Sequence, residues 1–200
     1  MRKLSSERST LLAKTTKIME NNNLMKKVNV EYFTTIGKGH GAPCLPATEE
    51  DWKKWRNEPW LLQMCERIRK GDEQLKHRLP VWTPHCAEFK NNHRAIADAV
   101  KPLNRLMLDF DEKGHTKDIL SKLTIDNGQL TILLVEESVR GGTHVLVELP
   151  EGMTAEEAQE LMKEVTGFEP DKAVKDVQGA FIWCRRAIQN TSPKNYTDPL

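Results

Sequence analysis

The sequence predicts an α+β protein in which a β-α-β-β-α-β unit over about residues 104–187 is fused to a smaller N-terminal α/β unit over 27–103. Three observations predict it. Short runs of apolar, β-prone residues alternate with two helical patterns. The turns between them, Asn127-Gly128 and Arg140-Gly141-Gly142, are short and glycine-bearing. The second helix also opens with Thr154 and Glu157 at capping-box spacing.

Taken in order, residues 1–26 form a basic arm. Residues 1–27 carry Arg2, Lys3, Arg8, Lys14, Lys17, Lys26 and Lys27 against Glu7 and Glu20. A short helix is expected from Ser9 to Glu20, closed by three asparagines, and then a strand over Val28–Phe33. Gly37 to Pro43 reads as a loop, because the phosphate-loop spacing and its terminal Lys-Ser/Thr are absent. Thr48 starts a helix carrying Trp52 and Trp55 on one face; Pro59 interrupts, and a second helix runs from about Trp60 to Lys70 with Leu61, Cys65 and Ile68 at helical spacing. The tryptophan stripe reads as core packing. Pro80 and Pro84 break helix, and a helix near Arg94–Val100 is expected before the regular half.

In that half the elements are strand Leu106–Asp111, a helix near Thr116–Leu123, strand Leu130–Glu137, strand Thr143–Leu149, helix Thr154–Val165 and strand Ala180–Cys184, with a tail over 188–200. This order is that of the ferredoxin-like or RNA-recognition-type (RRM-like) unit.

Hydrophobic content of 38%, charge of 30% and a net charge of +1 describe an ordinary globular chain, with no global bias toward nucleic acid. Cys44, Cys65, Cys86 and Cys184 are scattered without metal or redox spacing. With no signal peptide and no long apolar run, no membrane partner is expected and a reduced, cytoplasmic protein is.

The chemistry concentrates in two places. Successive strand residues face opposite sides, so Asp109 and Asp111 share a face and Phe110 takes the other. Adjacent carboxylates repel unless a cation holds them, and an oxygen-rich site of this kind suits Mg²⁺ or Mn²⁺. The second place is Ser138-Val139-Arg140-Gly141-Gly142-Thr143-His144. In the predicted topology the first and third strands are antiparallel neighbours, which brings His144 to the edge where the two acids lie. A third carboxylate is expected from Asp171 or Asp176, and the residue pattern does not choose between them.

These motifs resemble those of the archaeo-eukaryotic primase (primase-polymerase) superfamily. Leu108-Asp109-Phe110-Asp111 is similar to its hydrophobic-Asp-x-Asp strand. The Ser138–His144 turn is similar to its Ser-Gly-x-x-Gly-x-His, with Val139 in place of the first glycine, and Asp171 with Val174 is similar to its third motif. A nearer likeness is to the VirE-like N-terminal primase domain of bacterial mobile-element proteins, through Leu79–Pro84, Phe89 and the stretch Asp171–Asp176; it spans roughly residues 28–187. The family's arginine on or before the last strand has no counterpart, since Arg185 and Arg186 come only at its end.

The resemblance implies a nucleotidyltransferase that extends nucleic acid from nucleoside triphosphates on a single-stranded DNA template, in replication of a mobile element or phage, beside a helicase or another replication protein. Asp109, Asp111 and Asp171 would hold two divalent ions, with Asp176 in reserve. Ser138, Arg140, His144 and the amides of Gly141 and Gly142 would grip the phosphates. The basic arm and Lys172 or Lys175 would follow the template backbone. The alternatives are an inert primase-like domain that binds nucleic acid or a replication partner, and a bare ferredoxin-like interaction domain. An RNA-recognition module lacks its stacking aromatics here, and a rolling-circle nicking enzyme lacks its His-hydrophobe-His pair.

Overall fold

The structure is a computed structural model; it describes residues 37–38, 43–46, 50–51, 54–55, 58–125, 130–175 and 181–182. The expected arm, the helix Ser9–Glu20, the strand Val28–Phe33, Trp52, Asp176 and the tail lie outside these residues.

The chain is α+β, with small antiparallel sheets. Its elements are β1 (Gly37–Lys38), α1 (Pro59–Arg69), a 3₁₀ helix (Glu73–Arg78), β2 (Pro80–Trp82), β3 (Cys86–Phe89), β4 (Ala99–Pro102), β5 (Arg105–Phe110), α2 (Thr116–Ile125), β6 (Thr131–Glu137), β7 (Thr143–Glu148), α3 (Ala155–Thr166) and β8 (Phe181–Ile182). Gly37 and Lys38, expected in a loop, instead pair with Val81 and Pro80.

The sheet that positions the site has the order β5-β7-β6. It is covered on both faces, which explains the nearly unbroken apolar runs of its strands. Leu106, Leu108 and Phe110 pack with Ile119, Leu123, Val145, Val147 and Met162 beneath α2 and α3. On the other face Met107, Leu146, Leu133 and Leu134 pack against Leu61, Cys65 and Ile68 of α1 and Leu75 of the 3₁₀ helix. An irregularity between Ile132 and Leu134 turns two successive leucines of β6 to that face.

The α1 pattern predicted from Leu61, Cys65 and Ile68 is buried as expected, and Pro59 stands at the first turn, where its missing N–H costs nothing. The tryptophan stripe divides. Trp55 packs on the core and meets Trp60 edge-on at 6.0 Å, while Trp60 itself is exposed.

Two further expectations are corrected. The helix near Arg94–Val100 is a single 3₁₀ turn, Ile96–Asp98, followed by β4, which pairs with β3. Ile96 and Val100 are both exposed, so no buried stripe supports a helix there, and Pro102 ends the segment extended. The last strand, expected in the same sheet as the Asp-x-Asp strand, pairs through Phe181 and Ile182 with β2. The outer edge of β5 is taken up by other groups. The Met107 amide donates to His85 Nε2 at 2.7 Å, and the Asp109 carbonyl accepts from the Asp171 amide at 2.7 Å.

The capping box on α3 is formed. Thr154 Oγ1 accepts from the Glu157 amide at 3.2 Å, and the Thr154 amide donates to Glu157 Oε2 at 2.8 Å. Gly167 closes the helix in the left-handed region at φ 72°. Thr154→Ala is expected to cost about 1 kcal/mol. Thermal melting should show a midpoint about 2–4 °C lower, with no change in far-ultraviolet dichroism beyond noise.

Candidate functional site

Three strands bring three titratable side chains into one row. Asp109 of β5 pairs with His144 of β7, and His144 pairs with Glu136 of β6. His144 Nδ1 lies 3.2 Å from Glu136 Oε1, and Nε2 lies 3.6 Å from Asp109 Oδ1. The first is a hydrogen bond; the second is an ion-pair distance. Glu136 and His144 are buried, at 1% and 5% exposure, while the Asp109 carboxylate keeps a quarter of its surface open at 24%. Phe110 points to the opposite core, as alternation requires.

Asp171 arrives from the turn after α3. Besides its amide on the Asp109 carbonyl, its Oδ1 accepts from the Ala173 amide at 2.9 Å. Gln159, buried on α3, fastens this turn by donating to the Asp171 carbonyl at 3.2 Å and the Val174 carbonyl at 3.1 Å. Burial pushes the Asp109 carboxyl above the ordinary carboxylate range. His144 pulls it back, Asp111 and Asp171 push it further up, and Lys76 on the 3₁₀ helix opposes them. Asp111 is exposed just past the strand end.

The turn from β6 to β7 closes on itself. The Ser138 amide donates to the Gly142 carbonyl at 2.8 Å, the Gly141 amide to the Ser138 carbonyl at 2.9 Å, and the Gly142 amide to Ser138 Oγ at 3.0 Å. Both glycine amides expected to grip phosphate are therefore engaged inside the turn. The glycines act instead through shape. A Cβ on Gly142 would stand 2.3 Å from the Phe110 carbonyl oxygen and 3.4 Å from Asp111 Cα. Gly141, at φ +92°, passes its carbonyl to the Gly114 amide at 2.9 Å. Val139 is buried against the α1 core.

No family model matches this chain, and no curated protein or solved structure matches it either. What the residues can do must be read from their geometry.

Arg140 pairs with Glu73 on the 3₁₀ helix, and Arg69 donates to the Ser138 carbonyl at 3.2 Å and lies 3.4 Å from Glu137. These contacts fix the turn to α1 and to the 3₁₀ helix, and they leave Arg140 half exposed beside Ser138. Lys172 and Lys175 sit in exposed pairs with Glu169 and Glu156, which are weak enough to exchange for a phosphate.

As a donor set Asp109, Asp111 and Asp171 fit a hard divalent cation. All are carboxylates, and the upward push that Asp111 and Asp171 exert on Asp109 is the repulsion a cation relieves. Among the described residues, no three His, Cys, Asp or Glu side chains already converge as a metal-binding group. No helix among them is long and apolar enough to cross a membrane.

Reading the sequence alone missed Glu136, Gln159, Lys76 and His85. Only Glu136 left a signal: it is an acid directly after the apolar run Ile132-Leu133-Leu134-Val135. The other three act through contacts set by tertiary structure.

Proposed function

We propose that the chain is a primase-polymerase-type nucleotidyltransferase that adds nucleotides from nucleoside triphosphates on a single-stranded DNA template. The single observation that carries this reading is the junction of three distant segments at Asp109: His144 opposite it in register, and the Asp171 amide on its carbonyl. The finer fold belongs to the same proposal. The order β5-β7-β6, with α2 after β5 and α3 after β7, suits three of the four strands of an RRM-like catalytic unit, the fourth, β8, lying beside β2.

In this reading Asp109, Asp111 and Asp171 hold Mg²⁺ or Mn²⁺, with Asp176 in reserve. The bound ions would supply a more acidic attacking hydroxyl and neutralise charge on the triphosphate. Ser138, Arg140 and His144 present hydroxyl, guanidinium and imidazole edges to the phosphates from one turn and the strand that follows it. Gly142 lets that turn press on the backbone between Phe110 and Asp111, so phosphate-binding and metal-binding groups keep a fixed spacing. Lys76 adds positive charge near Asp109. The arm, Lys172 and Lys175 would follow the template, and a helicase or another replication protein would act alongside.

A second reading is favoured by two observations: the glycine amides are engaged within the turn, and no ligand triad is assembled among the described residues. It is an inert relative that binds nucleic acid or a replication partner. Primer extension and de novo synthesis with Mn²⁺ separate the two. Wild-type protein is expected to incorporate nucleotides. Asp109→Ala with Asp111→Ala is expected to lose at least about 10³-fold, equivalent to about 4 kcal/mol of transition-state stabilisation, with its dichroism unchanged. Activity that survives the double substitution would sink the polymerase reading. DNA binding that ignores both Mn²⁺ and the substitutions, without synthesis, would establish the second.

A further inference from the structure

The most deeply buried acid of the sheet has no part in the mechanism above. Glu136 is 1% exposed on β6, two residues before the turn that carries Ser138 and Arg140. Burying a carboxylate is costly unless hydrogen bonds and charge satisfy it. Its partner is specific. Oε1 faces His144 Nδ1 at 3.2 Å, on the side of the ring away from Asp109. The cross-strand register sets the two side by side on one face of the sheet.

An imidazole held at one nitrogen by a carboxylate has its ring plane fixed and its Nδ1 proton assigned. The other nitrogen is then presented in a set direction. Here that nitrogen is Nε2, 3.6 Å from Asp109 Oδ1. We propose that Glu136 is the positioning residue of this site: it fixes the His144 ring and keeps a proton on Nδ1, so that Nε2 is the edge turned toward Asp109 and the incoming phosphate. The role for Nε2 rests on the nucleotidyltransferase reading, whereas the Glu136–His144 link does not.

Long-range ¹H–¹⁵N spectra of ¹⁵N-histidine-labelled protein test the link without any enzyme assay. In wild type, His144 is expected to show a protonated Nδ1 whose proton exchanges slowly with water. An unprotonated Nδ1 in wild type would overturn the proposal. In Glu136→Ala the slow-exchanging proton should be lost and the ring signals should average. If that variant fails to fold, Glu136→Gln, of the same shape, should show faster exchange of the same proton, because a neutral acceptor bonds less strongly than a carboxylate. Unchanged His144 signals in a folded variant would again overturn it.

With activity in hand, Glu136→Ala is expected to lower kcat/KM by about 10–100-fold. On a background that already carries His144→Ala, Glu136→Ala should add little further loss, because residues acting as a unit are not additive. A full additional loss on the His144→Ala background would mean that Glu136 acts elsewhere. If wild type incorporates no nucleotide while the ring signals behave as expected, the polymerase reading falls and the positioning role stands.

Discussion

Asp109→Asn is expected to abolish nucleotide incorporation, by at least about 10³-fold, and at the same time to stabilise the fold. The two effects have one origin. Asp109 is held where a carboxylate is disfavoured: partly buried and pushed up further by Asp111 and Asp171, against which His144 and Lys76 compensate only in part. Its folded pKa therefore lies above its unfolded value of about 3.9. Below that unfolded value the residue is neutral in both states and carries no penalty. As pH rises through the raised folded pKa, the folded state must give up a proton it prefers to keep, and stability is lost.

Asparagine keeps the shape and stays neutral at every pH. The stability gap between variant and wild type should thus be small at pH 4, widen as pH rises and then level off, with the variant the higher-melting of the two. Adding Mn²⁺ should raise the wild-type midpoint and leave the variant unmoved. A variant no more stable than wild type at pH 8 would contradict the electrostatic account. A trade of stability for function is what a metal-holding carboxylate cluster produces.

Among the described glycines, Gly142→Ala should be the most damaging substitution. The new Cβ would meet the Phe110 carbonyl oxygen at 2.3 Å, with Ser138 Oγ at 3.2 Å and Asp111 Cα at 3.4 Å. Two of these three are backbone atoms of the β5 end, so no flexible side-chain tip can yield. Relief requires the turn and the Asp-x-Asp strand end to move apart. Such overpacking is expected to cost about 3 kcal/mol and to lower the melting midpoint by about 6–12 °C. Gly152→Ala is the comparison: at φ +83° with nothing within 4 Å, it meets backbone strain alone, about 1 kcal/mol. Equal midpoints for the two variants would show that the close approach at Gly142 carries no weight. Because the displaced atoms belong to the strand that bears both acids, any folded Gly142→Ala protein should also lose incorporation.

Much of this site was legible in the sequence because antiparallel register is simple arithmetic. A short turn between Glu137 and Thr143 forces β6 and β7 to pair, and an α-helix between β5 and β6 leaves β7 free to lie between them. Asp109 and His144 then meet without any knowledge of side-chain contacts. The capping box at Thr154 and the buried stripe of α1 were legible for a similar reason, each being written within a single local segment. What escaped depends on choices the local pattern does not encode. Ala95 to Val100 has helix-forming residues, yet its large apolar side chains Ile96 and Val100 stay exposed, and pairing with β3 decides the conformation. The position of β8 beside β2 follows from how β5's outer edge is filled, and that depends on His85 and the Asp171 turn together. The resemblance gives the amides of the glycine turn to phosphate. The turn's hydrogen bonds depend on Ser138 Oγ folding back, which composition does not reveal.

That outer edge has a consequence for how the protein meets other chains. A strand at the rim of a sheet offers a row of open amides and carbonyls on which a foreign strand can grow. At Met107 the offer is withdrawn by an imidazole, and at Asp109 by the backbone of the Asp171 turn. A strand arriving from another molecule would have to displace a buried histidine and the third acid of the site before it could add itself. The contacts that bring the Asp171 turn to Asp109 therefore also cover this edge of the sheet, and a variant that loosens that turn would weaken both at once.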